Sequence, residues 1–144
     1  MRTPIKNRRR VAERRARGLI DTSVVIDLES IRPAQLPREV AVSAMTLAEL
    51  SAGPHAASTA AERARRQDRL QRAEAAFDPL PFDREAARAY GRVFAAVVAT
   101  GRKPRGRAVD LMIAATALAN ELPLYTRNVD DFLGLDALVE VIEV

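Results

Sequence analysis

Gly18-Leu19-Ile20-Asp21-Thr22-Ser23-Val24-Val25-Ile26-Asp27-Leu28 is the stretch on which the reading of this chain turns. Gly18–Asp21 has the length and composition of a short buried strand. It ends on a carboxylate, and Asp21, Thr22 and Ser23 all suit the cap of a short helix that starts there. A buried strand running straight into a helix is a unit of a mainly parallel sheet with helices packed on it. In open sheets of that kind, sites form at the carboxyl ends of the strands.

Two further acidic residues occupy comparable places. Glu49 lies in Ser43-Ala44-Met45-Thr46-Leu47-Ala48-Glu49-Leu50, and Asp110 in Ala108-Val109-Asp110-Leu111-Met112-Ile113-Ala114-Ala115. If the strands are parallel neighbours, Asp21, Glu49 and Asp110 gather at one edge of the sheet. Carboxylates do not share a site without a cation, because like charges at close range suppress ionisation. A site for Mg2+ or Mn2+ is the economical reading. Each residue also has an ordinary structural role open to it. Asp21 can cap the next helix, and Asp110 can complement a helix dipole. Thr46-Leu47-Ala48-Glu49 has the pattern of a capping box, with Glu49 bonded back to the Thr46 backbone.

Composition narrows the chemistry. The 144 residues are enough for one domain with a real core. With no cysteine, disulfides, zinc–thiolate sites and thiol nucleophiles are excluded. The single histidine, His55, sits in a Gly-Pro-His-Ala stretch that reads as a solvated loop, which argues against a triad or a multi-histidine metal site. Residues 1–17 hold eight Lys/Arg and one acid, net +7; the rest hold fifteen Lys/Arg and eighteen acids, net −3. The high pI therefore belongs to a basic N-terminal arm, 1–17, ahead of a domain spanning 18–144. The arm, with Arg8-Arg9-Arg10 and Arg14-Arg15, reads either as a disordered solvated tail or as a contact for nucleic acid or another polyanion. No apolar run follows it that would make a secretory signal. The longest apolar stretch, Leu111–Ala119, is too short to span a bilayer. A cytoplasmic protein without a membrane partner is expected.

Along the chain, helix is expected from Thr22 to Leu28 and strand from Val40 to Ser43. A helix opening at Thr46 is expected to end at Gly53-Pro54. An Ala- and Arg-rich outer helix is read over 58–76 and an edge link over 78–82. The next helix, 84–100, is capped by Asp83, with Ala86, Tyr90, Val93, Phe94 and Val97 on one face. The helix 108–121 is apolar nearly all round and should be the most buried. Leu124–Thr126 and Val139–Ile142 read as the last strands.

Four pieces, in order, resemble a known family: Leu19-Ile20-Asp21-Thr22-Ser23-Val24, Ser43–Leu50, Asp110-Leu111-Met112-Ile113-Ala114-Ala115 and Thr126-Arg127-Asn128-Val129-Asp130-Asp131-Phe132. The chain is similar to PIN-domain ribonucleases, and more narrowly to VapC-like toxins of bacterial toxin–antitoxin pairs. The resemblance covers about 18–144 and implies a three-layer α/β/α sandwich around a mainly parallel sheet. It implies that Asp21, Glu49 and Asp110 are metal-binding carboxylates for Mg2+ or Mn2+ and that the enzyme is an endoribonuclease. Some relatives carry Asp where Asn128 stands, so Asp131, with or without Asp130, is expected to supply the outer carboxylate. Asn128 would orient a water or a ligand. Ser23 and Thr126 match family positions and can hold a metal-bound water or a phosphate oxygen, or serve as a helix cap and a strand-end hydroxyl. The resemblance also implies an RNA substrate, a small VapB-like antitoxin whose tail enters the groove, and a homodimer; the exposed apolar parts of helices 58–76 and 84–100 are candidates for its interface.

Arg102, Lys103, Arg105 and Arg107 precede the Asp110 helix, and Arg127 adjoins Asn128. All five read either as sugar–phosphate contacts, which position RNA without specifying its sequence, or as a solvated basic loop. Two other functions compete. A non-catalytic nucleic-acid-binding module would work through the Arg-rich arm. A phosphatase of the haloacid dehalogenase type would need a second Asp where Ser23 stands.

Overall fold

The computed structural model describes residues 14–144. Arg8-Arg9-Arg10 and the rest of residues 1–13 lie outside the described residues, and with them the expected disorder and polyanion contacts of the arm. The described chain runs β1 (Arg17–Ile20), α1 (Thr22–Ile26), β2 (Glu39–Ala41), α2 (Ala44–Ala56), α3 (Ala60–Ala76), α4 (Arg84–Ala99), α5 (Ala108–Ala119), β3 (Leu124–Thr126) and β4 (Val141–Glu143). Short 3-10 turns at Leu28–Ser30, Pro33–Gln35 and Val129–Phe132 complete it.

The sheet is parallel throughout, in the order β2-β1-β3-β4. Side chains alternate across it, as strand geometry requires. Leu19 and Leu124 point into one core with Val93 and Val97 of α4 and Leu111 and Ile113 of α5. Ile20 and Tyr125 point into a second core with Val24 and Val25 of α1 and Leu50 of α2, against which Leu70, Ala73 and Phe77 pack. Two cores on opposite faces of one sheet make the expected three-layer α/β/α sandwich. Gly18 is required by close packing: a Cβ there would come within 2.5 Å of the Tyr125 ring.

α5 is the buried helix anticipated, with Leu111, Ile113, Ala114, Ala115, Thr116 and Ala117 all inside. Each fully buried Leu or Ile contributes roughly 1.5–3 kcal/mol. α4 buries Ala86, Ala89, Val93 and Val97. Phe94, assigned to that face from the sequence, is 42% exposed, because it lies about 100° around the helix from Val93 and off the 86–89–93–97 stripe.

Other boundaries differ. α2 begins at Ala44, capped by the Ser43 hydroxyl, which accepts from Thr46 N at 3.1 Å. It passes Gly53-Pro54 and ends at Ala56. Pro54 has no N–H to give the Leu50 carbonyl, and the helix ends two residues later; Arg66 Nη1 donates to the neighbouring Gly53 carbonyl at 2.9 Å. β2 is Glu39–Ala41 rather than Val40–Ser43; Ser43 instead forms a lone parallel bridge to Leu80, which makes 78–82 an edge link. The chain is already docked ahead of Gly18: Arg14 Nε donates to Leu36 O at 3.1 Å, and Glu39 N donates to Ala16 O at 2.9 Å.

Candidate active site

β2 lies on one side of β1 and the chain later returns to β3 on the other. The crevice between the carboxyl ends of β1 and β3 is therefore the switch point where such sheets bind ligands. Asp21 leaves β1 there, and Thr126 ends β3 beside it. Asp21 is 5% exposed and caps α1: its Oδ1 accepts from Val24 N at 3.1 Å. The cap role read from the sequence is real, and it leaves the carboxylate at the edge. Ser23 Oγ donates to Asp21 Oδ1 and Thr126 Oγ1 to Asp21 Oδ2, each at 2.6 Å.

Glu49 comes in from α2. It does not close a capping box, since Ser43 and not Thr46 is the cap. Its Oε1 accepts a hydrogen bond from Thr22 Oγ1 at 2.6 Å, which ties α2 to the first residue of α1. Thr22 Oγ1 also lies 3.1 Å from Thr46 Oγ1, but it has one proton and the carboxylate is the nearer acceptor.

Asp110, in the first turn of α5, records how crowded the edge is. Its carboxyl is pushed up to about 6, first by burial and then by the charges of Asp131, Glu49 and Asp21, with Arg107 opposing. Four carboxylates thus share one electrostatic neighbourhood. Among the described residues, no three acidic side chains are drawn together as a finished coordination shell. Like charges at close range disfavour ionisation, which together with burial is why the Asp110 carboxyl rises. Of the two acids on the Val129–Phe132 turn, Asp130 and Asp131, it is Asp131 whose charge raises Asp110. Asn128 precedes the turn, and its backbone N–H donates to Thr126 Oγ1 at 3.0 Å.

The basic residues divide. Arg102 Nη1 donates to the Asp130 carbonyl at 2.7 Å and Arg107 Nη1 to the Asp131 carbonyl at 3.4 Å, so both brace the acidic turn. Arg127 pairs with Asp27 at 3.2 Å. Lys103 and Arg105 are exposed and stand in the loop beside them. Sequence reasoning missed Thr22 and Asp27. Thr22 adjoins Asp21, but its partner is set only when α1 meets α2. A separate groove of about 300 Å³ lies between α1 and α3, lined by Val25, Ile26, Arg69 and Phe77, and none of the four carboxylates borders it.

A four-stranded parallel sheet covered by helices on both faces, with its crevice at the β1–β3 switch point, defines a three-layer α/β domain. The PIN-domain family profile matches residues 18–137, and the chain belongs to that family. It is 43% identical over 134 residues to Ribonuclease VapC5 of Mycobacterium tuberculosis, covering 90% of this chain and 96% of that protein. Among solved structures, VapBC-5 of M. tuberculosis, a member of the VapBC family of toxin–antitoxin systems, superposes with a TM-score of 0.76 at 40% identity. That match covers 90% of this chain and 99% of the other. FitAcB from Neisseria gonorrhoeae superposes with a TM-score of 0.66 at 29% identity, over 87% and 96% of the two chains.

Proposed function

We infer that this chain is a divalent-metal-dependent endoribonuclease and the toxin of a toxin–antitoxin pair. The observation that carries the reading is the crowding of Asp21, Glu49 and Asp131 around Asp110 at the sheet's switch point. The names of the relatives supply the substrate class. The donor set fits Mg2+ or Mn2+: it is all oxygen, with carboxylates and hydroxyls and no cysteine or histidine. Asp21, Glu49 and Asp110 would hold the cation, with Asp131 as the outer carboxylate. When bound, the cation neutralises phosphate charge and acidifies a water.

The chain's own residues do the rest. Asp21 is preset by its hydrogen bonds, and Glu49 is steadied by Thr22. The Asp110 carboxyl is pushed up to about 6 by burial and its acidic neighbours, and a cation held there would favour its ionised form. Asp131 accepts a proton from, or orients, the attacking water. Water adds to phosphorus, the bond to the 3′ oxygen breaks and that oxygen takes a proton from solvent, leaving 5′-phosphate and 3′-hydroxyl ends. Lys103 and Arg105 approach the sugar–phosphate backbone, helped by the unused donors of Arg102, Arg107 and Arg127. With 4% aromatic residues, selectivity rests on RNA shape more than on base stacking.

A VapB-like antitoxin would hold the enzyme silent, a partner supported by the toxin–antitoxin complexes among the structural relatives. A homodimer through α4 is supported by Phe94 and Val98, which are 42% and 51% exposed on one face. Among the described residues no helix is long and apolar enough to cross a membrane. The deciding experiment is cleavage of total RNA by purified protein with Mg2+, with Mn2+ and with EDTA, beside Asp21→Asn. Discrete fragments that need metal and vanish in the variant are expected. Metal-independent fragments, or fragments that persist in Asp21→Asn, would refute the reading.

A further inference from the structure

The loop after β3 reaches Asp21 by two parallel routes. Arg127 N donates to Ser23 Oγ at 3.1 Å, and Ser23 Oγ donates to Asp21 Oδ1 at 2.6 Å. Asn128 N donates to Thr126 Oγ1 at 3.0 Å, and Thr126 Oγ1 donates to Asp21 Oδ2 at 2.6 Å. A hydroxyl has one proton to give, so neither hydroxyl has a proton left for a phosphate. Thr126 is fully buried, and among the described residues no buried side-chain polar atom lacks a partner. A carboxylate has about four acceptor positions. Val24 N and Ser23 Oγ occupy those of Oδ1, and Thr126 Oγ1 takes one of the two on Oδ2.

We propose that Ser23 and Thr126 are positioning residues, relaying two consecutive backbone N–H groups onto Asp21 and leaving one acceptor position, on Oδ2, for a divalent cation. The inference rests on the metal-site reading above. It replaces direct RNA contact as the role of both hydroxyls, and it gives residue 128 a task performed by its backbone. The Arg127–Asp27 pair holds the same loop against α1.

The test uses the full chain as wild type, Thr126→Val, Thr126→Ser and Ser23→Ala. Amide exchange at Asn128 and Arg127 is read by NMR without metal, and Mn2+ binding is read without RNA. Thr126→Val should speed Asn128 exchange and weaken Mn2+ binding roughly 10–100-fold, the usual effect of removing a group that orients a metal ligand. Thr126→Ser should stay within about threefold of wild type on both readouts. Ser23→Ala, at a less buried position, should speed exchange at Arg127 and weaken Mn2+ binding in the same direction. Unchanged Asn128 exchange in a folded Thr126→Val protein would overturn the relay. Faster exchange with wild-type Mn2+ affinity would overturn the positioning role. Equal damage from Ser and Val would put the effect in packing and overturn it too. Wild type that binds no Mn2+ would defeat the metal reading itself, and this inference with it, whatever the exchange rates show.

Discussion

Asp110→Asn should make the metal-free protein more stable while abolishing cleavage. In the fold, the Asp110 carboxyl is pushed from its ordinary 3.8 up to about 6. A raised acid pKa means that the folded state binds the proton more tightly than the unfolded one. Stability is therefore lost as pH rises from about 4 through 6, and the full penalty applies above that. Roughly two pKa units correspond to about 3 kcal/mol at most. The side chain is only half-buried, so solvent and salt reduce this to about 1–2 kcal/mol. For a chain of this size that is roughly 3–6 °C in Tm. The assay is calorimetry of wild type and Asp110→Asn in EDTA at about pH 7.5 and about pH 4. The variant should melt higher at the upper pH, and the gap should close at the lower one. Mg2+ should raise the wild-type Tm more than the variant's. A variant no more stable at pH 7.5, or an offset independent of pH, would refute the claim that charge crowding strains this edge.

The remaining tests follow from single contacts. Glu49→Gln keeps an acceptor for Thr22 but loses the charge; cleavage should fall at least about 100-fold with Tm within about 2 °C, since glutamine is a poor ligand for a hard cation. Arg102→Met should lower cleavage about tenfold by loosening the Asp130 carbonyl, whereas Lys103→Ala and Arg105→Ala should each reduce the salt slope of RNA binding by about 0.7 without disturbing that turn. Leu111→Ala opens a cavity at the centre of the first core and should cost about 2–5 kcal/mol, or roughly 6–15 °C in thermal melts. Deleting residues 1–13 should leave cleavage of a short RNA intact; loss of turnover in a still-folded protein would give the arm a catalytic role.

The sheet and its most buried helix were legible because their signals are local and repeated. Leu19-Ile20 and Leu124-Tyr125 are short apolar pairs whose members face opposite cores, and a strand buried on both faces has to read that way. α5 is apolar around its whole circumference, which leaves it nowhere to sit but inside. Asp21 and Asp110 were legible for a related reason: each is a lone charge against an apolar run at an element's end. The Val129–Phe132 turn was not foreseen as an element, because its position depends on Arg102 and Arg107 reaching across from another loop. Those arginines were read as RNA contacts, a role their remaining donors leave open. A guanidinium looks the same in sequence whether it meets a phosphate or a backbone carbonyl. Ser23 and Thr126 were read both as phosphate contacts and as local hydroxyl caps. Only the pairing of β1 with β3 brings both hydroxyls onto the two oxygens of one carboxylate.

Glu49 shows how a small shift in register changes a functional reading. Had α2 started at Thr46, Glu49 would have been its third helical residue, with the carboxylate folded back on the backbone N–H groups. Ser43 captures the cap instead, helped by Ala44 N donating to Leu80 O at 2.8 Å, a bond that anchors the helix entry to the edge link. Glu49 then stands six residues in, beyond reach of the helix end and facing α1. Its carboxylate is exposed, accepts from Thr22, and adds its charge to Asp110. The Ser43–Leu80 bridge is a long-range contact that local pattern cannot supply. The structural role offered for Glu49 therefore failed for a reason outside its own segment. What remains is an exposed acid bonded to Thr22, with its charge acting on Asp110, which is the placement the proposed cation site uses.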